Sequence, residues 1–240
     1  MHLLDLLPGI IWSGFLGLIA GNFATSPIYR LPRGESLFLR DPYCGDCNAK
    51  LKPKDLFPVL SWLMTRGKCR YCGAAVPGAY TAIEALTCIL FIVCYLQYGF
   101  SERFLLVSLG ITAFLMLITM LLLDDFFSDK TLVATIVLGM LCRTLLDGTL
   151  YGFAGSAFAG LLAGIAIWRI SGTPMVRDVT AFPAYLKLLL AAGVWLPLSR
   201  LAIVLLAALI AALIRQDKKR LPEITIIVCT CVLVLSRSVW

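Results

Sequence analysis

Residues 80–123 read YTAIEALTCILFIVCYLQYGFSERFLLVSLGITAFLMLITMLLL, and this stretch decides the fold. Its only charged side chains are those of Glu84, Glu102 and Arg103, and long charge-free runs lie on both sides of the Glu102-Arg103 pair. A helix that crosses the hydrocarbon layer of a membrane, roughly 30 Å thick, needs about 20 mostly apolar residues. The stretch therefore predicts two consecutive membrane-spanning helices.

Apolar runs of similar length recur along the whole chain, which is 60% hydrophobic and 15% charged and has a mean hydropathy of +0.90. These values predict an all-α polytopic membrane protein with about eight transmembrane helices. Only Ser199 and Arg200 separate the sixth run from the seventh, so one bent element and seven spans is the alternative; Pro197 favours two helices. The predicted spans are residues 8–26, 80–100, 104–123, 131–146, 152–170, 184–198, 201–214 and 223–240.

The distribution of basic residues predicts the orientation, because short loops rich in Lys and Arg stay in the cytoplasm. Most of the 21 Lys and Arg residues lie in four loops, which are therefore predicted to be cytoplasmic: residues 30–79, 124–130, 169–182 and 215–222. The net charge of +7 does not indicate nucleic-acid binding, since the basic residues lie between apolar runs rather than along one face with interleaved aromatic residues.

The loop at residues 30–79 holds two Cys-x-x-Cys pairs, Cys44-Gly-Asp-Cys47 and Cys69-Arg-Tyr-Cys72. Two such pairs supply the four corners of a tetrahedral zinc site, whereas disulfides are disfavoured in the reducing cytoplasm. Unpaired or redox-active cysteines are the alternative. Four thiolates leave no open coordination position, so the zinc is predicted to be structural. The predicted domains are a first transmembrane helix at 1–29, the zinc loop at 30–79 and a seven-helix membrane domain at 80–240.

The other metal-binding and catalytic residue types give little support to further sites. The single histidine, His2, is predicted to lie on the opposite side of the membrane from the zinc loop, which argues against histidine-based catalysis. No pair of charged or broken spans indicates a transporter. Five cysteines lie inside apolar spans and are predicted to be small core residues: Cys88, Cys94, Cys142, Cys229 and Cys231.

The segments that flank the cysteine pairs resemble one membrane-protein family. Residues 21–36 read GNFATSPIYRLPRGES, and residues 55–72 read DLFPVLSWLMTRGKCRYC. The second segment follows the pattern D-x-x-P-x-L-S-W-L-x-x-R-G-[RK]-C-R-x-C, and Tyr80 and Glu84 match the tyrosine and glutamate of R-Y-P-L-V-E. On these motifs the chain is similar to the bacterial prepilin leader peptidase and N-methyltransferase family.

The resemblance implies an inner-membrane protein whose zinc loop faces the cytoplasm and whose partners are the lipid bilayer and a prepilin substrate. Its members cleave the leader from type IV prepilins or type II secretion pseudopilins, as aspartic-type endopeptidases. They then methylate the new N-terminus with S-adenosylmethionine. The resemblance covers residues 21–84 closely and the remaining spans more loosely, and it does not indicate an oligomeric state.

An aspartic peptidase needs two carboxylates, one to activate water and one to protonate the scissile carbonyl. The third span ends LDDFFSDK at residues 123–130, and alignment with the family pattern places Asp124 at the first catalytic position, or Asp129 at the later acid if three residues are deleted. Asp125 is a further candidate. Solvation of a helix end is the alternative for these acids.

The second acid of the family pattern is missing. Residues 177–196, RDVTAFPAYLKLLLAAGVWL, resemble R-E-x-x-G-x-G-D-x-K-L-L-A-A-x-G-x-W-L, but Tyr185 occupies the aspartate position. Tyrosine has a pKa near 10 and does not form a shared-proton dyad with a carboxylate. Asp178 supplies the missing acid only if its loop folds back towards the third span. The alternative function is a peptidase-inactive relative that binds or only methylates prepilin-like substrates.

Glu84 is an acid a few residues inside an apolar span, where an unpartnered carboxylate is costly. Two alternative roles are predicted for it. One is to line a methyl-transfer or prepilin-binding site, and the other is to interact with the helix dipole near the start of the span.

Overall fold

The computed structural model describes residues 3–37, 41–123, 128–147, 153–170 and 184–214. This part of the chain is mostly helical and has no β-strand, only two isolated antiparallel bridges between Tyr43 and Lys50 and between Lys68 and Ala75. The helices are α1 (Leu3–Arg30), α2 (Leu60–Thr65), α3 (Gly78–Tyr98), α4 (Glu102–Leu123), α5 (Asp129–Asp147), α6 (Ala154–Ile170), α7 (Ala184–Trp195) and α8 (Leu198–Ile214).

Three of the described helices are long and apolar enough to cross a membrane, at Asp5–Arg30, Gly78–Tyr98 and Glu102–Met120. The predicted spans at 131–146, 152–170 and 201–214 also coincide with helices, α5, α6 and α8. The last predicted span, 223–240, lies outside the described residues, so a total of eight spans stays a prediction. Helix α1 extends beyond the predicted 8–26 at both ends, because hydropathy marks the apolar part of a helix and not its polar ends.

The break between the sixth and seventh spans falls at Leu196 and Pro197. Helix α7 ends at Trp195 and α8 begins at Leu198, so the two runs are separate helices and not one bent element. Proline lacks the amide hydrogen that would continue α7, and its position just before α8 is compatible with the start of a helix. Helix α7 has 12 residues and is shorter than the predicted span at 184–198.

The contacts divide the chain into two compact units, Met1–Ser108 and Leu109–Trp240. In the first unit, α1 and α3 pack antiparallel through glycines of α1. A β-carbon on Gly17 would lie 2.7 Å from Cys88 Cα, and one on Gly21 would lie 2.8 Å from Glu84 Cα. Real β-carbons do not approach so closely, so glycine allows the two backbones to come together, as in the small-residue crossings of membrane helices.

In the second unit, glycines perform the same role where α6 and α7 cross. A β-carbon on Gly193 would lie 2.4 Å from Ser156 O, and one on Gly160 would lie 2.4 Å from Leu189 O. Trp195 at the end of α7 is fully buried, and its Nε1–H donates to Thr135 O at 3.0 Å. The Gly193 and Trp195 of the family-like segment therefore act in helix packing.

Candidate metal centre

The four cysteines of the loop converge on one point. Their sulfur atoms all lie within 4.8 Å of one another, and Cys44 Sγ lies 4.0 Å from Cys72 Sγ. A tetrahedral zinc ion with Zn–S bonds of about 2.3 Å holds its sulfur ligands about 3.8 Å apart. The predicted set Cys44, Cys47, Cys69 and Cys72 is therefore arranged so that it could hold a metal ion of this kind.

Each cysteine pair lies in the same kind of backbone turn, which we call a knuckle (residues 43–50 and 68–75). In the first, Asn48 N–H donates to Cys44 O at 2.9 Å; in the second, Gly73 N–H donates to Cys69 O at 2.9 Å. Both Asn48 (φ 55°) and Gly73 (φ 75°) adopt the left-handed conformation that Asn and Gly tolerate best. The sequence thus forms two equivalent turns, each of which presents its pair of sulfurs on one side.

Two thiols of the cluster have different pKa values. The Tyr71 N–H lowers the pKa of Cys69 to about 7, against the opposing effect of burial. For Cys72, the Ala74 N–H also acts to lower the pKa, but burial and the neighbouring thiols raise it to about 12. Four thiolates at this spacing repel one another, so a bound cation would be needed to keep all of them deprotonated near neutral pH.

Asp55 connects the short 3₁₀ turn Pro53–Asp55 to the second knuckle. Its side chain is only 7% exposed, and Arg70 Nε lies 2.9 Å from Asp55 Oδ1. Tyr71 donates its hydroxyl hydrogen to Asp55 Oδ2 at 2.9 Å. Burial opposes ionisation of Asp55, but the Lys52 N–H, the Tyr71 hydroxyl and the Arg70 charge together hold its pKa below the usual value. Asp55 thereby fixes both residues that lie between Cys69 and Cys72.

The end of α1 holds the first half of the loop. The Arg30 side chain is buried, and its guanidinium donates to the carbonyl oxygens of Ser36, Leu37 and Asp41 at 3.1–3.3 Å. The same guanidinium lies 5.9 Å from the ring centre of Tyr43, the residue before Cys44. A buried charge needs such compensation, and here backbone carbonyls supply it.

The segment between the knuckles is held against α1 and α3. Asn22 of α1 donates a side-chain hydrogen bond to Leu56 O at 2.8 Å, and the Val59 N–H donates to Glu84 Oε2 of α3 at 2.7 Å. Val59 has a φ of 58°, and the Leu60 N–H donates to Pro58 O at 2.5 Å, so the chain forms a tight γ-turn centred on Val59. Glu84 lies beyond the first turn of α3, so its predicted interaction with the helix dipole is wrong.

Comparison with known proteins gives a consistent answer. The family model described as the bacterial peptidase A24 N-terminal domain matches residues 15–98. The prepilin leader peptidase/N-methyltransferase of Neisseria gonorrhoeae is 30% identical, over 85% of this chain and 81% of that protein. The chain belongs to the prepilin leader peptidase/N-methyltransferase family.

Other relatives agree with this membership, and the resemblance seen in residues 21–84 is confirmed. The prepilin leader peptidase/N-methyltransferase of Aeromonas salmonicida (strain A449) is 29% identical, over 85% of this chain and 80% of that protein. A type 4 prepilin-like proteins leader peptide-processing enzyme of Escherichia coli O78:H11 is 28% identical, over 80% and 79%. No solved structure matches the chain.

The three candidate catalytic acids of this family member, Asp124, Asp125 and Asp178, lie outside the described residues. An ion pair in the described structure connects α5 and α7, the helices that follow these acids in the sequence. Lys187 Nζ of α7 lies 2.5 Å from Asp129 Oδ1, at the first residue of α5. Asp129 and Lys187 belong to separate segments of the sequence, residues 123–130 and 177–196, and their contact was not predicted. Tyr185 lies on α7, two residues before Lys187.

A cavity of about 520 Å³ lies beside the cysteine cluster in this prepilin leader peptidase/N-methyltransferase family member. Its walls come from the end of α1, both knuckles, α2 and the start of α3. Aromatic side chains line much of it, and basic side chains lie among them. The lining aromatic and basic residues are Tyr29, Tyr43, Trp62, Tyr71, Tyr80, Arg33, Lys68 and Arg70.

Proposed function

We propose that this protein processes prepilin-like substrates at the cytoplasmic face of the bacterial inner membrane. It would remove the leader of a type IV prepilin or a type II secretion pseudopilin and methylate the new N-terminus. The observation that carries the proposal is the extent of the similarity, which covers 85% of this chain and 81% of its Neisseria gonorrhoeae relative. The similarity therefore includes the membrane helices as well as the cysteine loop.

The cysteine cluster is proposed to bind one structural zinc ion through Cys44, Cys47, Cys69 and Cys72. The sulfur spacing supports a tetrahedral site, and the two knuckles supply equivalent pairs of ligands. Four thiolates complete the coordination of zinc, so the metal would crosslink the loop without taking part in hydrolysis. The loop orientation towards the cytoplasm is proposed from its basic residues.

Leader cleavage is proposed to use two carboxylates from the candidates Asp124, Asp125 and Asp178. The Asp129–Lys187 ion pair supports this assignment, because it brings the beginnings of α5 and α7 together. In the sequence, Asp124 and Asp125 lie five and four residues before Asp129, and Asp178 lies nine residues before Lys187. One carboxylate would activate the attacking water, and the other would protonate the carbonyl of the scissile peptide. S-adenosylmethionine is the proposed methyl donor, because relatives are named N-methyltransferases.

A second candidate function is favoured by Tyr185. This residue occupies the position at which the family pattern has its second aspartate, and a phenol does not replace a carboxylate in a shared-proton dyad. A chain with this change would bind prepilin-like substrates, or methylate precleaved ones, without cutting the leader. The two candidate functions differ in one measurable step, which is cleavage of the leader.

The test is to express the chain with a prepilin in cells that lack other leader peptidases, and to follow leader removal and N-terminal methylation by mass spectrometry. For the first candidate, we expect cleavage that is lost in Asp124→Ala, Asp125→Ala or Asp178→Ala but kept in Asp5→Ala, an acid at the other end of α1 from the loop. For the second, the wild-type chain does not cleave, and Tyr185→Asp gains cleavage. Absence of cleavage, methylation and prepilin binding in a folded, membrane-inserted chain would refute both.

A further inference from the structure

The zinc loop carries an exposed row of large apolar side chains that its own fold does not use. We call this row, formed by Phe57, Leu60, Leu63 and Met64, the apolar ridge. Met64 is 77% exposed, and the other three are 55–58% exposed. Leu60, Leu63 and Met64 lie on one face of α2, since residues three and four apart are neighbours on a helix.

The other face of α2 contacts the body of the loop. Trp62 donates its Nε1–H to Val76 O at 3.0 Å, and its ring packs against Gly67. Ser61 and Thr65 line the cavity beside the cysteine cluster. Helix α2 is therefore amphipathic within the folded loop. One face packs against the rest of the loop, and the apolar ridge lies on the other face.

The depth of the apolar ridge follows from two hydrogen bonds. Asn22, which binds Leu56 O, lies about 12 Å from the end of α1, and Glu84, which binds the Val59 N–H, lies about 9 Å from the start of α3. The segment before α2 therefore lies alongside the two helices and not on top of their ends.

The helix lengths relate this depth to the bilayer. Helix α3 has 21 residues, a length of about 32 Å that matches the hydrocarbon core. Helix α1 has 28 residues, or about 42 Å, and so exceeds the core by roughly 12 Å. With its excess on the loop side, α1 places Asn22 at the boundary between headgroups and acyl chains, and α3 places Glu84 about 9 Å inside that boundary. The segment that leads into α2 therefore lies between the boundary and the outer part of the acyl chains.

The charges around the apolar ridge fit a membrane surface with anionic lipids. Between residues 52 and 68 the sole acid is Asp55, and the Arg70 guanidinium pairs with it. Basic side chains close to an anionic membrane surface are attracted to its headgroups. The exposed basic residues that flank the ridge in the sequence are Lys52, Lys54, Arg66 and Lys68.

We propose that the apolar ridge inserts into the headgroup region of the lipid leaflet on the loop side, with the flanking basic residues bound to anionic headgroups. An amphipathic element of this kind lies in the plane of the interface, with its apolar face about 5–10 Å deep. The zinc loop is then a membrane-bound element and not a freely exposed domain. The inference rests on the membrane insertion in the proposed function, but not on cleavage or methylation.

The test uses a photo-crosslinking amino acid, p-benzoylphenylalanine, at position 64 of the full-length protein in vesicles of phosphatidylethanolamine and phosphatidylglycerol. The matched control carries it at position 50, because the Lys50 side chain is 71% exposed in the first knuckle, away from the ridge. We expect roughly fivefold or more lipid adduct at 64 than at 50, detected by mass spectrometry of the protein. Equal adduct formation at the two positions would overturn the proposal.

A competing occupant is a prepilin helix, and the same label distinguishes it. With prepilin added, the proposal expects the lipid adduct at position 64 to persist; crosslinking to prepilin in place of lipid would overturn it. The double variant Leu63→Glu/Met64→Glu, labelled at position 57, is expected to lose most of its lipid adduct while its zinc content stays unchanged, and an undiminished adduct would contradict the proposal. The comparison of lipid adducts at positions 64 and 50 is made without prepilin. The adducts therefore form whether or not the chain is an active peptidase.

Discussion

The Glu84 carboxylate accepts a hydrogen bond from the Val59 N–H at 2.7 Å, and so joins α3 to the turn that leads into α2. Val59 is β-branched and has a φ of 58°, a conformation that costs such residues about 1–3 kcal/mol. Glu84 is only 8% exposed, so its carboxylate gains a partner that it would otherwise lack. Glu84 supplies the acceptor that holds the strained Val59 turn, and the Val59 N–H supplies the donor that the buried carboxylate requires. This pairing explains why an acid lies inside an apolar span.

This pairing predicts effects of opposite sign for substitutions at its two residues. Glu84→Ala leaves the Val59 N–H without its partner and should loosen the loop by about 1–3 kcal/mol, whereas Glu84→Gln keeps an acceptor oxygen and should cost less. Val59→Gly removes the steric cost of the positive φ and should stabilise the turn by about 1 kcal/mol. Hydrogen exchange of the residue 59 and 60 amides measures both effects. Unchanged exchange in Glu84→Ala would show that the hydrogen bond does not hold the turn.

The cysteine cluster predicts a metal content that depends on four of the nine cysteines. Purified protein should contain about one zinc ion per chain, and Cys69→Ser should lose most of it. Cys94→Ser is the matched control, because Cys94 is fully buried in α3 and outside the cluster. Plasma mass spectrometry measures the zinc. A chelator should also raise amide exchange in the knuckles before it affects α1 or α3.

The close crossing of α1 and α3 predicts a strong penalty for added volume. Gly17→Val would place side-chain atoms against the Thr87 carbonyl oxygen and Cys88 Cα. It should destabilise the protein by about 1–3 kcal/mol, which is the usual cost of overpacking a core. Gly155→Val is the control, since a β-carbon on Gly155 has no neighbour within 4 Å. Unfolding by sodium dodecyl sulfate in mixed micelles compares the two. Equal losses of stability would exclude packing as the reason for Gly17.

The lowered pKa of Asp55 predicts that the stability of the loop depends on pH. Its pKa is held below the usual 3.8, so ionised Asp55 contributes stability above that pH, and the contribution is lost as the pH falls through the lowered pKa. Asp55→Asn should therefore weaken the loop by about 1–3 kcal/mol at neutral pH. The difference between wild type and variant should shrink below about pH 4. Exchange of the Arg70 and Tyr71 amides measures it, and a difference that grows in acid would contradict the assignment.

Sequence patterns predicted the features that repeat or have a fixed spacing. Hydrophobic runs predicted the helices, and the Cys-x-x-Cys pairs predicted the four residues that converge. The Val59–Glu84 contact could not be predicted, because it depends on a positive φ at a valine, which local propensity disfavours. The Asp129–Lys187 pair joins residues far apart in the chain, and charge alone does not select such partners.

Arg30 binds the first half of the loop through the carbonyl oxygens of Ser36, Leu37 and Asp41, and not through their side chains. Every amino acid carries that oxygen. Substitutions at these three positions should therefore leave the attachment intact, whereas replacement of Arg30 should remove it. Even lysine lacks the planar fork that reaches several acceptors at once.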